Sequence, residues 1–252
     1  MGEGRERCSL ALPLNPPTIM PPRKVSSSLV RDEGGGYHGD MGRIRTWQES
    51  QEEEILAAVQ QHLAAQEVVA LPTETFYALA ADPFSPEALG RVFALKQRAP
   101  HKAVLILVAS PDMLLEVARE VPEVAQILMA RFWPGPLTLI LPGRDGLPGL
   151  LTGGTGTIGV RWPRQEVTCR IIARLGYPVT GTSANRTGAP PLTGAAEIAR
   201  DFPEVPLIVD AGPCPGGLPS TIIDLTRRPP RLVRAGAVPV EVLLDLIPHL
   251  AH

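Results

Sequence analysis

Apolar and polar residues along the chain fall into short runs and helical stripes that predict its elements. Residues 68–71 and 104–108 are nearly continuous apolar runs, and the second, rich in β-branched side chains, is typical of a central strand. Leu89 and Val92 belong to an apolar stripe at helical spacing between the two runs. Ser85, followed directly by proline, marks the start of that helix.

The same signals predict the rest of the fold. A capping-box sequence at residues 50–53 predicts a helix with an apolar face made of Ile55, Leu56, Val59 and Leu63. Further helices are expected from Pro111, from Pro122, at 165–175, at 194–201 and from Val240, and further strands at 137–141, 157–161, 178–182, 207–210, 222–225 and 232–234. Residues 1–45 are rich in Pro, Gly, Ser and Arg without an apolar period. We expect them to be disordered and place the folded domain at residues 46–252.

The segment after the first apolar run carries candidate chemistry. If residues 73–77 are extended, Thr73, Thr75 and Tyr77 share one face and their hydroxyls can orient a small polar ligand. Three basic residues follow at the end of the next helix: Lys96, Arg98 and Lys102. Together these groups indicate a pocket for a small phosphorylated molecule. The alternative is an ordinary turn and a solvated helix end, because cations favour helix C-termini in any case.

Two later segments are glycine-rich. Residues 154–159 match G-x-G-x-x-G, but they precede an extended segment and Pro163 instead of opening a helix, so we reject a dinucleotide fingerprint and predict a flexible loop. Thr157 and Arg161 lie on one face of that extended segment, where they line a cleft or, alternatively, Arg161 lies at a sheet edge.

Residues 181–185 form a strand–turn–helix sequence suited to phosphate or ribose. Ser183 lacks the G-x-S-x-G elbow, and no suitably ordered histidine follows it, so a serine hydrolase is not favoured. Cys214 lies in a Gly/Pro loop and is expected to be an accessible thiol without a nucleophilic role.

Composition bounds the class of protein. The chain has 252 residues, a formal net charge of −2 and 44% hydrophobic residues, enough for a sizeable core. The small net charge argues against a surface wholly dedicated to nucleic acid. Three separated cysteines argue against a disulfide framework or a zinc site and for a reducing compartment. With no apolar run near the roughly 18 residues that span a bilayer, we expect a cytoplasmic protein with no membrane partner.

Seven segments occur in the order seen in one known family: PTETFYALAAD, KQRAPHK, FWPGPLTLIL, TIGVRWP, TSANRTG, PSTIID and LVRAG. Over roughly residues 48–238 the chain resembles the YrdC-like L-threonylcarbamoyladenylate synthases, in their short bacterial single-domain form. The resemblance implies an α/β (α+β) fold, a twisted open mixed sheet flanked by helices with a concave basic cavity. It also implies a nucleotidyltransferase that makes threonylcarbamoyl-AMP for N6-threonylcarbamoyladenosine modification of tRNA.

The resemblance also assigns residues. It places L-threonine against Thr75, Tyr77, Arg161 and Ser220. Arg161 would pair with the threonine carboxylate, a role that suits a planar bidentate donor. It places ATP against Lys96, Arg98, Lys102, Thr157, Ser183, Asn185 and Arg234. Lys96 and Arg98 would be catalytic, neutralising phosphoryl charge.

The implied reaction needs no nucleophilic side chain. The threonine amine takes up bicarbonate or CO2, and an oxygen of the resulting carbamate attacks the α-phosphorus of ATP, releasing pyrophosphate. Mg²⁺ would arrive with ATP, so we expect no metal site in the protein and no organic cofactor. The expected partners are ATP, L-threonine, bicarbonate, the downstream tRNA threonylcarbamoyl transferase machinery and tRNA itself.

The chain departs from the family pattern at Ala78, which replaces a glycine, and at Leu107, which replaces a histidine of many relatives. If that glycine needs a positive φ or close approach of a ligand, Ala78 narrows the site. Two alternatives therefore stay open. One is an RNA- or ribosome-binding module that uses the basic cavity, and the other is a paralogue with another acceptor substrate.

Overall fold

The computed structural model describes residues 43–251, which form eleven strands and eight helices. The strands are β1 (Ile44–Thr46), β2 (Val69–Leu71), β3 (Ala78–Ala80), β4 (Leu105–Leu107), β5 (Leu137–Pro142), β6 (Thr157–Arg161), β7 (Val179–Thr180), β8 (Thr182–Ser183), β9 (Leu207–Asp210), β10 (Thr221–Asp224) and β11 (Arg231–Arg234). The helices are α1 (Glu52–Ala64), α2 (Pro86–Lys96), α3 (Pro111–Val117), α4 (Glu123–Phe132), α5 (Gly149–Thr152), α6 (Glu166–Leu175), α7 (Ala195–Asp201) and α8 (Val240–Leu246).

The strands form two mixed sheets. Sheet A has the order β1-β9-β2-β3-β8, and sheet B has the order β11-β10-β5-β6-β4-β7. Both contain parallel and antiparallel pairs. The predicted class, a mixed sheet flanked by helices, is confirmed, but the strands divide into two sheets where a single one was expected.

The chain passes from sheet B to sheet A at a single glycine. Residues 178–182 were predicted to form one strand, yet β7 pairs with β4 in sheet B and β8 pairs with β3 in sheet A, so the chain changes sheet at Gly181. A Cβ atom at Gly181 would lie 2.3 Å from Leu107 Cγ, far inside van der Waals contact. The crossing therefore depends on a residue without a side chain.

Helices α2 and α3 begin where the Ser-Pro sequences predicted. Ser85 Oγ accepts a hydrogen bond from Ala88 N at 3.2 Å, and Ser110 Oγ accepts one from Met113 N at 3.3 Å. The capping box predicted at residues 50–53 is wrong, because a 3₁₀ turn (Glu49–Gln51) leads into α1 without a side-chain cap. The acidic first turn of α1 still complements the helix dipole. Its predicted apolar face is buried against the core: Ile55, Leu56, Val59 and Leu63.

The N-terminal boundary lies earlier than expected. The predicted disordered segment falls on residues 1–42, outside the described part, and on Arg43, Ile44 and Arg45, which are not disordered. Ile44 pairs with Ile208 in a parallel ladder, and the Arg43 guanidinium donates to Pro203 O at 2.6 Å. The folded domain therefore includes residues before position 46.

The glycine-rich segment lies at a strand start, as its order in the sequence predicted. Gly153 ends α5 in the left-handed conformation, and Gly156 O accepts a hydrogen bond from Gly143 N at 2.8 Å before β6 begins. Because the glycines precede a strand, they do not form a helix-opening phosphate loop, and the rejection of the dinucleotide fingerprint is confirmed.

Candidate functional site

A cavity of about 450 Å³ opens between the two sheets. Strands of both sheets line it, with β3 and β8 from sheet A and β4, β5, β6 and β10 from sheet B. The charged side chains of its lining are all arginines: Arg98, Arg161 and Arg234. All the site residues predicted from the sequence contribute to this lining except Lys96 and Lys102.

Arg161 lies at the end of β6 and is 4% exposed. Its Nε donates to Gly135 O at 3.1 Å, and its Nη1 and Nη2 lie 3.2 and 3.3 Å from Thr75 Oγ1. Because β6 is an interior strand between β5 and β4, the alternative of a surface arginine at a sheet edge is wrong. The guanidinium is instead held at fixed orientation in the cavity wall.

Glu74 is a site residue that sequence reasoning missed. Its Oε1 lies 2.7 Å from Arg161 Nη2, so the two side chains form an ion pair inside the fold. The contact lacks hydrogen-bond geometry, and neither buried carboxylate oxygen has a hydrogen-bond partner among the described residues. A carboxylate of the chain itself therefore neutralises the arginine that was assigned to a substrate carboxylate.

The segment around Glu74 is a turn and not the extended strand that was predicted. Thr73 Oγ1 accepts hydrogen bonds from Thr75 N at 3.1 Å and Phe76 N at 3.2 Å, which closes the turn. The turn brings Thr73 and Thr75 together, with their hydroxyl oxygens 3.0 Å apart, and both line the cavity. The turn also points Glu74 towards Arg161. In the predicted extended strand, Glu74 would have faced away from Thr73 and Thr75.

The ring of Tyr77 lines the cavity, but its hydroxyl forms hydrogen bonds with residues outside the cavity lining. It lies 3.2 Å from both Asp210 Oδ1 and Gly212 O, at the end of β9. Burial, followed by the charge of Asp210, raises the pKa of the phenol well above its usual value. The ring therefore shapes the pocket while the hydroxyl ties the 73–77 turn to the loop after β9.

Ser220 and Arg234 form the wall on the side of β10 and β11. Ser220 is 3% exposed, and its Oγ lies 2.9 Å from Thr138 Oγ1 on β5, a cavity residue that sequence reasoning did not single out. Arg234 Nη2 donates to Ser220 O at 2.8 Å and to Ser220 Oγ at 3.0 Å. Partial burial, followed by the charge of Arg161, lowers the pKa of the Arg234 guanidinium.

The other predicted site residues of the lining lie near the ends of α2 and β8 and at the start of β6. Ser183 Oγ donates to Asn185 Oδ1 at 2.6 Å, and Asn185 Nδ2 donates to Ala189 O at 2.6 Å. Arg98 Nη2 donates to Ala103 O at 2.6 Å, and burial lowers the pKa of this guanidinium. Thr157 Oγ1 lies 2.8 Å from Thr155 Oγ1 at the start of β6.

Lys96 and Lys102 lie apart from the cavity lining. Lys96 is 2% exposed, so the alternative of a solvated helix end is wrong for this residue. Its Nζ contacts Ser183 O, Asn185 O at 2.8 Å and Asn185 Oδ1 at 3.1 Å. Lys102 is exposed.

Comparison with known proteins identifies the family. The family model Sua5_yciO_yrdC, described as "Telomere recombination", matches residues 61–236. The chain belongs to the Sua5/YciO/YrdC family. The expected resemblance is thereby confirmed.

Relatives in the Sua5/YciO/YrdC family carry one activity name. The chain is 41% identical over 181 residues to the threonylcarbamoyl-AMP synthase of Pyrococcus abyssi, covering 71% of this chain and 53% of the relative. It is 35% identical to the Bacillus subtilis protein of that name, covering 73% and 54%. The chain thus spans about half the length of these two relatives. The Idiomarina loihiensis synthase is also 35% identical, with 62% of this chain and 86% of the relative covered.

Solved structures of the family share the fold. Pyrococcus abyssi Sua5, in a crystal structure complexed with L-threonine, superposes with a TM-score of 0.77 at 36% identity, covering 82% of this chain and 61% of that one. Escherichia coli YciO superposes with a TM-score of 0.71 at 27% identity, covering 79% and 96%.

The two departures from the family pattern both reach the cavity. Ala78 lies on β3 without a positive φ, because within the described part only Gln66 and Gln97 among non-glycine residues have one. It therefore adds a methyl group to the lining without backbone strain. Leu107 lies on β4 beside Arg161 on β6 and lines the cavity with an apolar side chain.

The two cysteines within residues 43–251 are buried or half-buried thiols. The prediction that Cys214 is accessible is wrong, because the loop after β9 folds inward and leaves it 7% exposed. Burial raises the pKa of the Cys169 and Cys214 thiols to about 11 each. In the part of the chain that the structure covers, no group of three or more His, Cys, Asp or Glu side chains is placed to hold a metal ion. None of the helices there is long and apolar enough to cross a membrane.

Proposed function

We propose that the protein is an L-threonylcarbamoyladenylate synthase, which converts L-threonine, bicarbonate or CO2 and ATP to threonylcarbamoyl-AMP and pyrophosphate. One observation carries the proposal: a single cavity joins the Arg161, Thr75 and Ser220 cluster to the Arg98, Ser183 and Asn185 wall. The names of the relatives, including one of which the chain covers 86%, support it.

The first cluster suits a hydroxylated α-amino acid. In this proposal the carboxylate binds Arg161, whose guanidinium is fixed by Gly135 O and Thr75 Oγ1 and so needs little reordering on binding. The hydroxyls of Thr75, Thr138 and Ser220 supply further donors and acceptors within the same wall. Leu107 offers an apolar surface for a methyl group.

The cationic walls suit a triphosphate. The amine nitrogen of threonine attacks CO2 and loses a proton, and a carbamate oxygen then forms a bond to the α-phosphorus. The bond from this phosphorus to the bridging oxygen breaks, and pyrophosphate leaves with the electron pair. Arg98 and Arg234 neutralise the negative charge that develops during this transfer.

Magnesium enters as part of the MgATP substrate. No carboxylate of residues 43–251 belongs to the cavity lining, so the triphosphate oxygens and water would supply its ligands. The product is a reactive mixed anhydride, and we assign its consumption to a tRNA threonylcarbamoyl transferase system that modifies adenosine at N6. A cytoplasmic location, where tRNA is modified, belongs to the same proposal.

Labelled bicarbonate tests the proposed reaction. Incubated with ATP, L-threonine and ¹³C-bicarbonate, the protein should release a nucleotide product whose mass includes threonine, AMP and the labelled carbonyl carbon. Product without the label would refute the carboxylation step. If neither ATP nor threonine binds while RNA binds with a steep salt dependence, the protein is instead an RNA-binding module. If ATP is consumed with another amine, it is a paralogue with a different acceptor.

A further inference from the structure

Lys96 sits at the centre of a set of contacts that the proposed reaction does not explain. Its Nζ contacts three oxygens, namely Ser183 O, Asn185 O and Asn185 Oδ1. At its other end, Lys96 O accepts hydrogen bonds from Thr187 N and Thr187 Oγ1, each at 2.9 Å. One residue of α2 therefore holds the segment 183–187 by both its side chain and its backbone.

The amine has no donor left for a ligand. A lysine ammonium carries three hydrogens, and three acceptor oxygens already surround Nζ. The residue is 2% exposed and is absent from the cavity lining, whereas Ser183 and Asn185, which it contacts, both line the cavity. A phosphate oxygen would reach Nζ only if the segment moved away.

We infer that Lys96 is a positioning residue that fixes the segment 183–187 as one wall of the nucleotide site and makes no contact with phosphate itself. The inference rests on the proposed function for the identity of the ligand, but the contacts that define it exist without a ligand. It replaces the phosphate contact expected from the sequence and leaves Arg98, two residues beyond the end of α2, as the cation that faces the cavity.

The charge state of Lys96 bears on how it holds the segment 183–187. Burial, followed by the charge of Arg98, lowers the pKa of Lys96 to about 7. Arg98, on the loop after α2, is the charged group acting on Nζ, and the groups that face it from β8 and the following loop (Ser183, Asn185 and Thr187) are uncharged. Only the protonated amine satisfies all three acceptors, so the wall is complete when Lys96 is charged.

Hydrogen–deuterium exchange of the ligand-free protein tests the inference separately from any activity. Lys96→Met keeps an unbranched side chain only one atom shorter but removes its donors, and we expect the amides of Asn185 and Thr187 to exchange about tenfold faster than in the wild type. The matched control is Lys102→Met, a nearby exposed lysine, which should leave exchange in the segment unchanged. Equal exchange in Lys96→Met and the wild type would overturn the inference, whatever the protein catalyses.

A conservative variant separates positioning from phosphate contact. Lys96→Arg keeps the charge, but its planar fork does not match three acceptors arranged around a single nitrogen. We expect it to retain the fast exchange and a raised KM for ATP, with kcat affected less than KM. Full recovery of the wild-type KM by Lys96→Arg would show a direct phosphate role and overturn the inference.

A milder variant covers the case in which Lys96→Met does not fold. Thr187→Val removes only the hydroxyl that donates to Lys96 O, and it should raise exchange at the same amides by a smaller factor, about threefold. Unchanged exchange in Thr187→Val would show that the segment is held by other contacts and would contradict the inference.

Discussion

At the scale of single residues, the ion pair of Arg161 and Glu74 governs how the proposed carboxylate of the substrate would bind. The pair is buried, with side chains 5% and 18% exposed, so its energetics follow those of an internal ion pair. Removing one partner of such a pair leaves an uncompensated charge, at a cost of about 3–5 kcal/mol when burial is complete. A substrate carboxylate that reaches Arg161 must therefore share the guanidinium with Glu74.

Arg161→Ala should raise the KM for L-threonine by about a hundredfold, because the loss of a charge-assisted bidentate contact costs about 2–3 kcal/mol. The KM for ATP should change much less. The variant also leaves the Glu74 carboxylate buried without its partner. The double variant Arg161→Ala with Glu74→Gln, which removes that charge, is therefore the control. It should recover stability to urea but not threonine binding. Equal rises in both KM values would remove the carboxylate assignment.

If Lys96 fixes one wall of the nucleotide site, as we infer, ATP binding should depend on pH. The pKa of this residue is lowered to about 7, so the ammonium is present below that pH and is lost as the pH rises through it. ATP affinity, measured by titration calorimetry, should therefore fall between pH 6 and pH 8.5 in the wild type. The Lys96→Met variant provides the reference, since ATP itself titrates in this range. Identical pH profiles for the two proteins would show that Lys96 does not control the site.

The residue scale also shows the limit of pattern reasoning. Nine of the eleven site residues that the resemblance assigned line the cavity, because the functional groups recur in recognisable short segments. Glu74 was missed since alternation places it opposite Thr73 and Thr75, and only the turn closed by Thr73 Oγ1 rotates it towards Arg161. The sequence correctly placed Lys96 near the residues of the cavity lining. It did not predict the direction of the side chain, because that depends on contacts with residues 183–187, which lie far along the chain.

At the scale of elements, the change of sheet at Gly181 positions β8 and hence Ser183. Two-residue strands such as β7 and β8 carry no periodic signal, so the sequence predicted a single strand there. The starts of α2 and α3 were predictable because a Ser-Pro sequence fixes a cap locally. The crossing was not, because it depends on contact with Leu107 on another strand.

Gly181→Ala should destabilise the protein by about 1–3 kcal/mol, because the new methyl group collides with the Leu107 side chain. Leu107→Ala removes the colliding atoms but leaves a cavity, so it is destabilising as well. Urea unfolding of both single variants and of the double variant gives the coupling free energy between positions 181 and 107. We expect the double variant to be more stable than the sum of the single effects requires, and strict additivity would show that the two residues do not conflict.

At the scale of the whole molecule, the cavity needs both sheets, and the edge of sheet A extends to β1. Trp47 N donates to Asp210 O at 2.7 Å, and the Asp210 carboxylate in turn accepts from the Tyr77 hydroxyl at 3.2 Å. The expectation that residues up to 45 are disordered and outside the fold therefore needs revision at its last three positions. It arose because a three-residue strand follows a segment without an apolar period.

Two truncations test this boundary. A chain that starts at residue 43 retains every element that forms the cavity and should keep wild-type stability and turnover. A chain that starts at residue 48 loses the β1 ladder, and it should be less stable by about 2–3 kcal/mol, at roughly 1 kcal/mol for each backbone hydrogen bond. Thermal unfolding followed by circular dichroism distinguishes them. Equal midpoints for the two chains would show that β1 does not support sheet A.

Pyrophosphate release from ATP, measured with and without L-threonine and bicarbonate, tests the proposed function most directly. The geometry of one cavity holding both the arginine–threonine cluster and the cationic wall predicts release only when both co-substrates are present. Release that is indifferent to threonine, or no release by protein shown to be folded, would contradict it.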